Sequence, residues 1–256
     1  MEVVHLETAN AHATVRPAHG GRIGGLIVNG RQMLVDLAAN TLDWGCYPMV
    51  PFAGRVRDAH VAFRGESFEF PANDAPERSH ALHGTLFDVA WNVLTATPTR
   101  VEMSCTLVAP WPWRGEVHHA VELSDTALTC TLSLTAHEDM PTMLGWHPWF
   151  IQPQDVSLPF ASMLERGPDY LPTGKIVAPS LENADDCFVD PRGPLTLTYE
   201  DCALTLQSDC SHWVVYNQPT HAICVEPQSG PPNEVNTVPQ VVRAGETMSR
   251  QFTISW

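Results

Sequence analysis

The chain has 256 residues, with 14 lysines and arginines against 29 aspartates and glutamates, which gives a formal net charge of −15. A field of this sign excludes binding to nucleic acid or to an anionic membrane surface through bulk electrostatics. No apolar run has the length, roughly 20 residues, that a membrane-spanning helix needs. The first residues also lack the basic start and apolar core of a signal peptide. We therefore predict a soluble cytoplasmic protein that acts on a small ligand.

The cysteines carry no recognisable metal or redox motif. Seven of them are scattered at positions 46, 105, 130, 187, 202, 210 and 224. No two are separated by the two residues that are typical of zinc knuckles and redox sites. We predict reduced thiols that mostly fill the core.

Short strands joined by tight turns are predicted along most of the chain. A turn at Ala9-Asn10 divides residues 3–16, and Asn29-Gly30, a strong hairpin signal, divides residues 23–35. Residues 61–70 predict a further hairpin.

Apolar and polar residues alternate in the later segments. Residues 127–135 place leucines and Cys130 on one face and threonines and Ser133 on the other, and residues 195–198, 204–206 and 251–256 repeat the pattern. No segment longer than two turns has helical periodicity, and 22 prolines and 16 glycines divide the chain at short intervals. These features predict one all-β domain over residues 1–256, built as an antiparallel sandwich.

Polar residues interrupt this pattern at five places, namely Arg55, His80 with His83, His147, Asp185 and Glu226. His147 lies in the run Gly145–Phe150, between two tryptophans and before a proline, which favours extended backbone. We expect its imidazole to face one side of a strand and both indoles to face the other. Histidine exchanges a proton near neutral pH, and indoles are suitable surfaces for flat ligands.

Each of the other places also has an ordinary structural interpretation. Arg55 and Glu226 are equally typical of surface charges, although Glu226 follows an apolar run and is expected at a strand end that opens into a loop, a common position for catalytic groups. His80 and His83 have the spacing of half a metal site, but no third ligand is near in sequence, so we predict no metal. The adjacent His118 and His119 are expected to point to opposite faces of a strand.

Together these motifs resemble those of a known family. Pro-Phe-x-x-Arg ending at Arg55, Leu-His-Gly at His83, His-Pro-Trp-Phe at His147, Asp-x-x-Phe at Asp185 and Glu-Pro-x-x-x-x-Pro at Glu226 resemble the aldose 1-epimerase (galactose mutarotase) family from about residue 20 onward. The resemblance implies an antiparallel β-supersandwich that interconverts sugar anomers without a cofactor, as a monomer or homodimer.

The resemblance also implies a role for each residue. Mutarotation needs a base for the proton of the C1 hydroxyl and an acid for the departing ring oxygen, and these roles fall to Glu226 and His147. His83, Arg55 and Asp185 are expected to bind sugar hydroxyls. We expect His147 and Glu226 to flank the sugar, with their side chains roughly 5–8 Å apart, so that each reaches a ring atom at hydrogen-bond distance. Trp146, Trp149 or Trp213 is expected to stack on the ring.

The sequence leaves three alternative functions open. A related branch acts on hexose 6-phosphates and carries an arginine shortly after its His-Gly; residues 85–89 here hold no cation, and a phosphate site would need residues such as Arg78 or Arg114. A sugar-binding protein of the same fold would be expected to lack the acid or the base. A glycoside hydrolase would use two carboxylates, for which Glu226 and Asp185 are candidates.

Overall fold

The computed structural model describes residues 3–74 and 79–256, whose regular secondary structure is almost entirely β-strand. The first thirteen strands are β1 (Val4–Glu7), β2 (Ala11–Arg16), β3 (Arg22–Val28), β4 (Arg31–Gln32), β5 (Cys46–Met49), β6 (Arg55–Val56), β7 (His60–Phe63), β8 (Glu66–Glu69), β9 (Ala81–Leu82), β10 (Asn92–Ala96), β11 (Arg100–Thr106), β12 (Gly115–Leu123) and β13 (Ala127–Ala136). The remaining strands are β14 (Met140–Pro141), β15 (Gly145–Ile151), β16 (Asp155–Ser157), β17 (Phe160–Arg166), β18 (Pro172–Val177), β19 (Asp185–Pro191), β20 (Leu195–Thr198), β21 (Ala203–Ser208), β22 (His212–Tyr216), β23 (Ala222–Gln228), β24 (Val241–Val242) and β25 (Thr247–Ser255).

The helical segments of the described residues are a 3₁₀ turn at Arg57–Ala59 and the four-residue α1 (Glu234–Thr237). Neither segment, nor any other helix in this part of the chain, is long and apolar enough to cross a membrane.

Two antiparallel sheets form the body of the protein. The larger sheet has the order β1-β2-β3-β5-β15-β23-β22-β19-β17-β18, with β4 beside β3, and the smaller has the order β10-β11-β12-β13-β25-β21-β20-β16. Three separate pairs of strands, β6-β9, β7-β8 and β14-β24, lie outside them. The all-β antiparallel architecture predicted from the sequence is confirmed.

The predicted turns and faces are present. The hairpins β1-β2, β3-β4 and β7-β8 form at the predicted turns. Along β13 the leucines and Cys130 are buried while the threonines stay half-exposed, because successive side chains of a strand point to opposite faces. All seven cysteines are free thiols, and all except Cys202 are buried.

Aromatic residues join the two sheets across the core. Trp146 of β15 and Trp213 of β22 both approach Phe252 of β25, with ring centroids 5.9 and 6.2 Å apart. Burial of such large side chains from both sheets is the main favourable term in the stability of a sandwich. The opposite face of the larger sheet is therefore the one left to carry a site.

Candidate active site

The floor of the candidate site is one row of side chains that crosses the larger sheet. His147 of β15 lies opposite Tyr47 of β5, and the register of β15 with β23 places it opposite Glu226. Glu226 in turn lies opposite Val214, which lies opposite Cys187 of β19. Because directly opposite residues of a sheet point to the same face, sequence positions from 47 to 226 converge here.

A cavity of about 310 Å³ opens above this row. All five residues predicted for the site line it, namely Arg55, His83, His147, Asp185 and Glu226. The volume falls at the lower end of the range for small-ligand pockets, roughly 300–1,000 Å³, which suits a ligand of the size of one sugar ring.

His147 and Glu226 are in direct contact, with Nε2 and Oε1 3.3 Å apart. The predicted separation, which left room for a sugar between the two side chains, is therefore wrong. Opposite residues on neighbouring strands have Cβ atoms only about 5 Å apart, so no ring fits between them. A ligand must instead lie over the pair. The strand also continues past Glu226 to Gln228, so Glu226 lies within a strand and not at its end.

Burial shifts both members of this pair toward their uncharged forms. It lowers the pKa of His147 to about 3, assisted by the charges of Arg22 and Arg55. Burial also raises the pKa of Glu226 well above its ordinary value, with a further contribution from Asp185; the amide of Gln228 and the charge of Arg55 act in the opposite direction. The free pair therefore holds one proton, which burial places on Glu226.

His147 lies between two aromatic rings. Tyr47 stacks on it at a centroid distance of 4.9 Å, and Trp149 stacks at 5.5 Å, both with an interplanar angle of 18°. The expectation that both indoles face away from His147 is wrong for Trp149, because residues two apart on a strand share a face. Trp146 does lie on the other face, where its Nε1 donates to His119 Nε2 at 3.2 Å. Of Trp146, Trp149 and Trp213, only Trp149 lines the cavity.

The wall beside His147 comes from the small β6-β9 pair. Arg55 lies opposite Leu82 in this pair, and His83 follows directly with a positive φ of 60°. Such a conformation costs about 1–3 kcal/mol for a non-glycine residue and is typical of functional sites. The next residue, Gly84, also has a positive φ, and a Cβ there would lie 2.1 Å from the Val50 carbonyl oxygen. This backbone conformation places the ring of His83 edge-on to the ring of His147, with the ring centroids 4.7 Å apart.

Arg55 and Asp185, expected from the sequence as separate ligand-binding groups, bind each other. The two terminal guanidinium nitrogens of Arg55 donate to the two Asp185 oxygens at 3.1 Å each, and its Nε donates to Asp74 at 2.7 Å. Burial opposes the charge of Arg55, but Asp185 and Asp74 outweigh it and raise the pKa of this guanidinium. Arg55 therefore keeps its charge between the two carboxylates.

Four residues that line the cavity have a buried side-chain polar atom with no hydrogen-bond partner among the described residues, namely His83 Nδ1, His147 Nδ1, Asp186 Oδ1 and Gln228 Oε1. Leaving such an atom unpaired costs about 1–3 kcal/mol. The amide nitrogen of Gln228 is engaged, since it donates to Glu226 Oε2 at 3.2 Å. Asp186 Oδ1 has its ion pair with Arg166, and the other three atoms keep unused hydrogen-bonding capacity beside the cavity.

The structure adds cavity residues that the sequence did not single out. Arg166 lies 3.3 Å from Asp186 Oδ1 through its Nε, and its guanidinium lies over the ring of Tyr170 at 4.8 Å. Asp186 belongs to the Asp-Asp dipeptide from which only Asp185 was chosen. Arg166 and Tyr170 belong to no motif, and only the pairing of β17 with β19 brings them to the cavity.

A buried arginine lies behind the floor. Arg22 donates to the carbonyl oxygens of four residues, His19, Thr41, Trp44 and Phe87. Its guanidinium also lies 4.9 Å from the centroid of the Tyr47 ring, and burial lowers its pKa to about 10. Its bonds to Thr41 and Trp44 hold the segment that contains Leu42 and Asp43, which line the cavity.

Other cations and histidines considered from the sequence have structural partners. His80 contacts the Asp58 amide and the Asp169 carbonyl, at 3.1 and 2.9 Å, instead of pairing with His83 around a metal. Arg114 pairs with Glu138 and does not line the cavity. Arg78 lies outside the described residues.

The comparisons with known proteins name a family. A family model described as aldose 1-epimerase matches residues 2–255. The GalM/aldose epimerase homologue of C. elegans has a TM-score of 0.86 at 15% identity, covering 98% of this chain and 97% of that one. A galactose mutarotase-like protein of Clostridium acetobutylicum has a TM-score of 0.84 at 18% identity, covering 98% and 93%. These structures confirm the galactose mutarotase-type fold.

One relative is similar in sequence over part of its length. The uncharacterized protein YphB of Escherichia coli K12 is 31% identical over 120 residues, which are 44% of this chain and 39% of that protein. The match therefore spans well under half of either chain.

Proposed function

The chain belongs to the aldose 1-epimerase family, and we propose that it interconverts the α and β anomers of a free aldose by acid/base ring opening. The observation that supports this most strongly is the His147–Glu226 contact of 3.3 Å at the floor of the cavity. A buried histidine and carboxylate that share one proton supply both an acid and a base over the same face of a ligand.

In the proposed reaction, the sugar lies over the pair with its anomeric carbon next to both groups. The shared proton first moves from Glu226 to His147. The Glu226 carboxylate then takes the proton of the C1 hydroxyl, the C1 carbonyl forms, the bond from C1 to the ring oxygen breaks, and His147 protonates that oxygen. Afterwards Glu226 is protonated and His147 is neutral, which is the form that burial favours. Rotation about C1–C2 and the reverse steps give the other anomer, and no cofactor is needed.

The remaining cavity residues are proposed to hold the sugar hydroxyls. The unpaired Nδ1 of His83 and Oε1 of Gln228 gain partners when a hydroxylated ligand binds, which recovers the cost of their burial. Arg55 and Asp185 present a fixed donor and acceptor at the rim. Trp149 is the proposed stacking surface.

The alternatives are less well supported by the site. A non-catalytic sugar-binding protein has no need for an acid in contact with a base at the cavity floor. A glycoside hydrolase would use Asp185 together with Glu226, but both Asp185 oxygens accept hydrogen bonds from Arg55, which favours a binding role over a catalytic one. A hexose 6-phosphate 1-epimerase would need a cation for the phosphate, and both arginines that line the cavity are paired with carboxylates.

The experiment is to measure anomer interconversion by polarimetry and by NMR over a panel of free aldoses. At least one aldose should reach anomeric equilibrium faster with the enzyme than in buffer, in proportion to enzyme concentration. A protein that binds these sugars without accelerating any of them would be the non-catalytic form.

A further inference from the structure

A buried thiol lies beside the acid–base pair. Cys224 precedes Glu226 by two residues on β23, so its side chain points to the same face of the sheet, and it lies opposite Trp149 on β15. One ligand atom each from His147, Cys224 and Glu226 lies within 4.8 Å of the other two. Cys224 has no role in the proposed reaction.

These three ligand types suit a zinc ion. Zinc prefers thiolate, imidazole and carboxylate ligands in tetrahedral geometry, with bonds of about 2.0–2.3 Å. Those bond lengths require ligand atoms about 3.3–3.8 Å apart, so shifts of about 1 Å or less complete the set. The fourth position would face the cavity, which is also the entry path.

Charge balance favours the ion at this depth. A divalent cation with one thiolate, one carboxylate and one neutral imidazole forms a site of zero net charge, whereas a buried single charge is costly. Binding must displace the protons of the Cys224 thiol and of the Glu226 carboxyl, since metal ligands are deprotonated. Zinc binding should therefore weaken as the pH falls.

From this geometry we propose that His147, Cys224 and Glu226 form a zinc-binding site whose occupation inhibits the enzyme. The ion takes the Nε2 lone pair of His147 and an oxygen of Glu226, the atoms that hold the shared proton in the proposed reaction. The inhibitory part of this inference rests on the proposed function, whereas the binding part does not. Zinc is here an inhibitor, and a chelator should leave activity intact or raise it.

The test compares zinc binding and inhibition in three proteins: the wild type, Cys224→Ala and Cys187→Ala. Cys187 is a matched control because it is also a buried thiol on the same sheet, two strands away from Glu226. Zinc affinity is measured by calorimetry, and cobalt is used as a second probe because thiolate ligation gives a charge-transfer absorption band. Each protein's rate with zinc is divided by its own metal-free rate.

We expect one zinc per chain in the wild type and in Cys187→Ala, with the thiolate band and with inhibition. Cys224→Ala should lose the band and bind zinc on the order of 100-fold more weakly, since loss of a ligand costs at least as much as loss of its supporting shell. If the alanine variant folds poorly, Cys224→Ser, which nearly keeps the side-chain volume, replaces it in the same measurements.

Three results would overturn the proposal: no zinc binding by the wild type, equal weakening in the Cys224 and Cys187 variants, or loss of activity in EDTA that zinc restores. The last would make the metal catalytic. Calorimetry and absorption do not depend on turnover, so an inactive protein that still binds zinc through Cys224 refutes the proposed function alone.

Discussion

Contact between His147 and Glu226 makes the two residues one titrating unit. The pair sits on neighbouring strands with its polar atoms 3.3 Å apart, and groups this close are expected to exchange and share a proton. The proposed reaction moves that proton between the two residues, but the pair holds one proton before and after it. This requirement leads to two predictions at the scale of single residues.

Replacing Glu226 with glutamine should lower the anomerisation rate about 10²–10⁴-fold, the usual contribution of a general base. The amide is nearly isosteric and can keep the contacts to His147 and Gln228, so sugar binding and folding should be retained. Polarimetry gives the rate, and calorimetry gives the sugar affinity. Turnover within a factor of two of the wild type would remove Glu226 from the mechanism.

The pH profile should reflect the shared proton. On the acid side activity should persist below 4.5, the ordinary glutamate pKa, because a second proton must enter His147, whose pKa burial lowers to about 3. On the alkaline side activity should fall when the pair loses its one proton. The profile of kcat/KM, with folding checked by circular dichroism at each pH, measures both limbs.

The matched variant for this profile is Gln228→Leu. The Gln228 amide lowers the pKa of Glu226, so its removal should raise that pKa and move the alkaline limb to higher pH. If the alkaline limb of Gln228→Leu does not move, or if the acid limb of the wild type lies at pH 4.5, the pair does not share one proton.

The sequence was sufficient to find these residues but not their spacing. Arg55, His83, His147, Asp185 and Glu226 stand out because each is polar where the surrounding pattern is apolar or extended. Their distances depend on which strands pair, and β5, β15 and β23 are separated by long stretches of chain. No local pattern encodes that pairing, so the contact between acid and base could not be predicted.

At the scale of elements, one polar contact connects the two sheets directly below the catalytic strand. His119 of β12 is fully buried, and its Nδ1 donates to the Gly21 carbonyl at 3.1 Å while its Nε2 accepts from Trp146. The prediction that His118 and His119 face opposite ways is confirmed, since His118 is half-exposed beside Glu102 and Glu116. The buried member joins Gly21 and Trp146 through its two ring nitrogens.

His119 should make stability depend on pH. Burial lowers its pKa from 6.5 to about 4, so the unfolded chain binds a proton that the folded chain refuses. Its contribution is complete above pH 6.5 and is lost as the pH falls toward 4, at about 1.4 kcal/mol per pH unit. Urea unfolding between pH 4 and 7 measures the slope, to which the buried His83 and His147 also contribute.

The comparison for this slope is His119→Gln, which is polar but does not titrate. It should reduce the slope of the free energy of unfolding against pH by up to the contribution of one titrating group. It should also lower the free energy of unfolding at pH 7 by about 1–3 kcal/mol, because the Gly21 and Trp146 contacts are disturbed. An unchanged slope would mean that His119 titrates normally in the folded protein.

At the scale of the whole molecule, the acidic balance extends into the cavity. Five acidic side chains line it, those of Asp43, Asp74, Asp185, Asp186 and Glu226, and Glu226 holds the proton of the reacting pair. The two arginines that line it are already paired, Arg55 with Asp74 and Asp185, and Arg166 with Asp186. A phosphate, which carries nearly two negative charges, would meet this field with no unpaired arginine among the described residues that line the cavity.

A neutral aldose should therefore be preferred over its 6-phosphate, with kcat/KM higher by about tenfold or more, equivalent to about 1.4 kcal/mol. The comparison uses glucose and galactose against the matching phosphates at equal ionic strength. Asp43→Asn removes one repulsive charge at the mouth and should narrow the ratio. A preference for the phosphate would assign the protein to the hexose-phosphate branch.

The two halves of the site differ in how they are anchored. His147 and Glu226 belong to strands with hydrogen-bonded neighbours on both sides, whereas Arg55 belongs to an isolated pair of strands outside both sheets and His83 directly follows that pair. Local opening is easiest where few backbone bonds must break. Amide hydrogens of β6 and β9 should therefore exchange with deuterium orders of magnitude faster than those of β15 and β23. A sugar can then enter by displacing one hinged side of the cavity while the reacting pair stays in place.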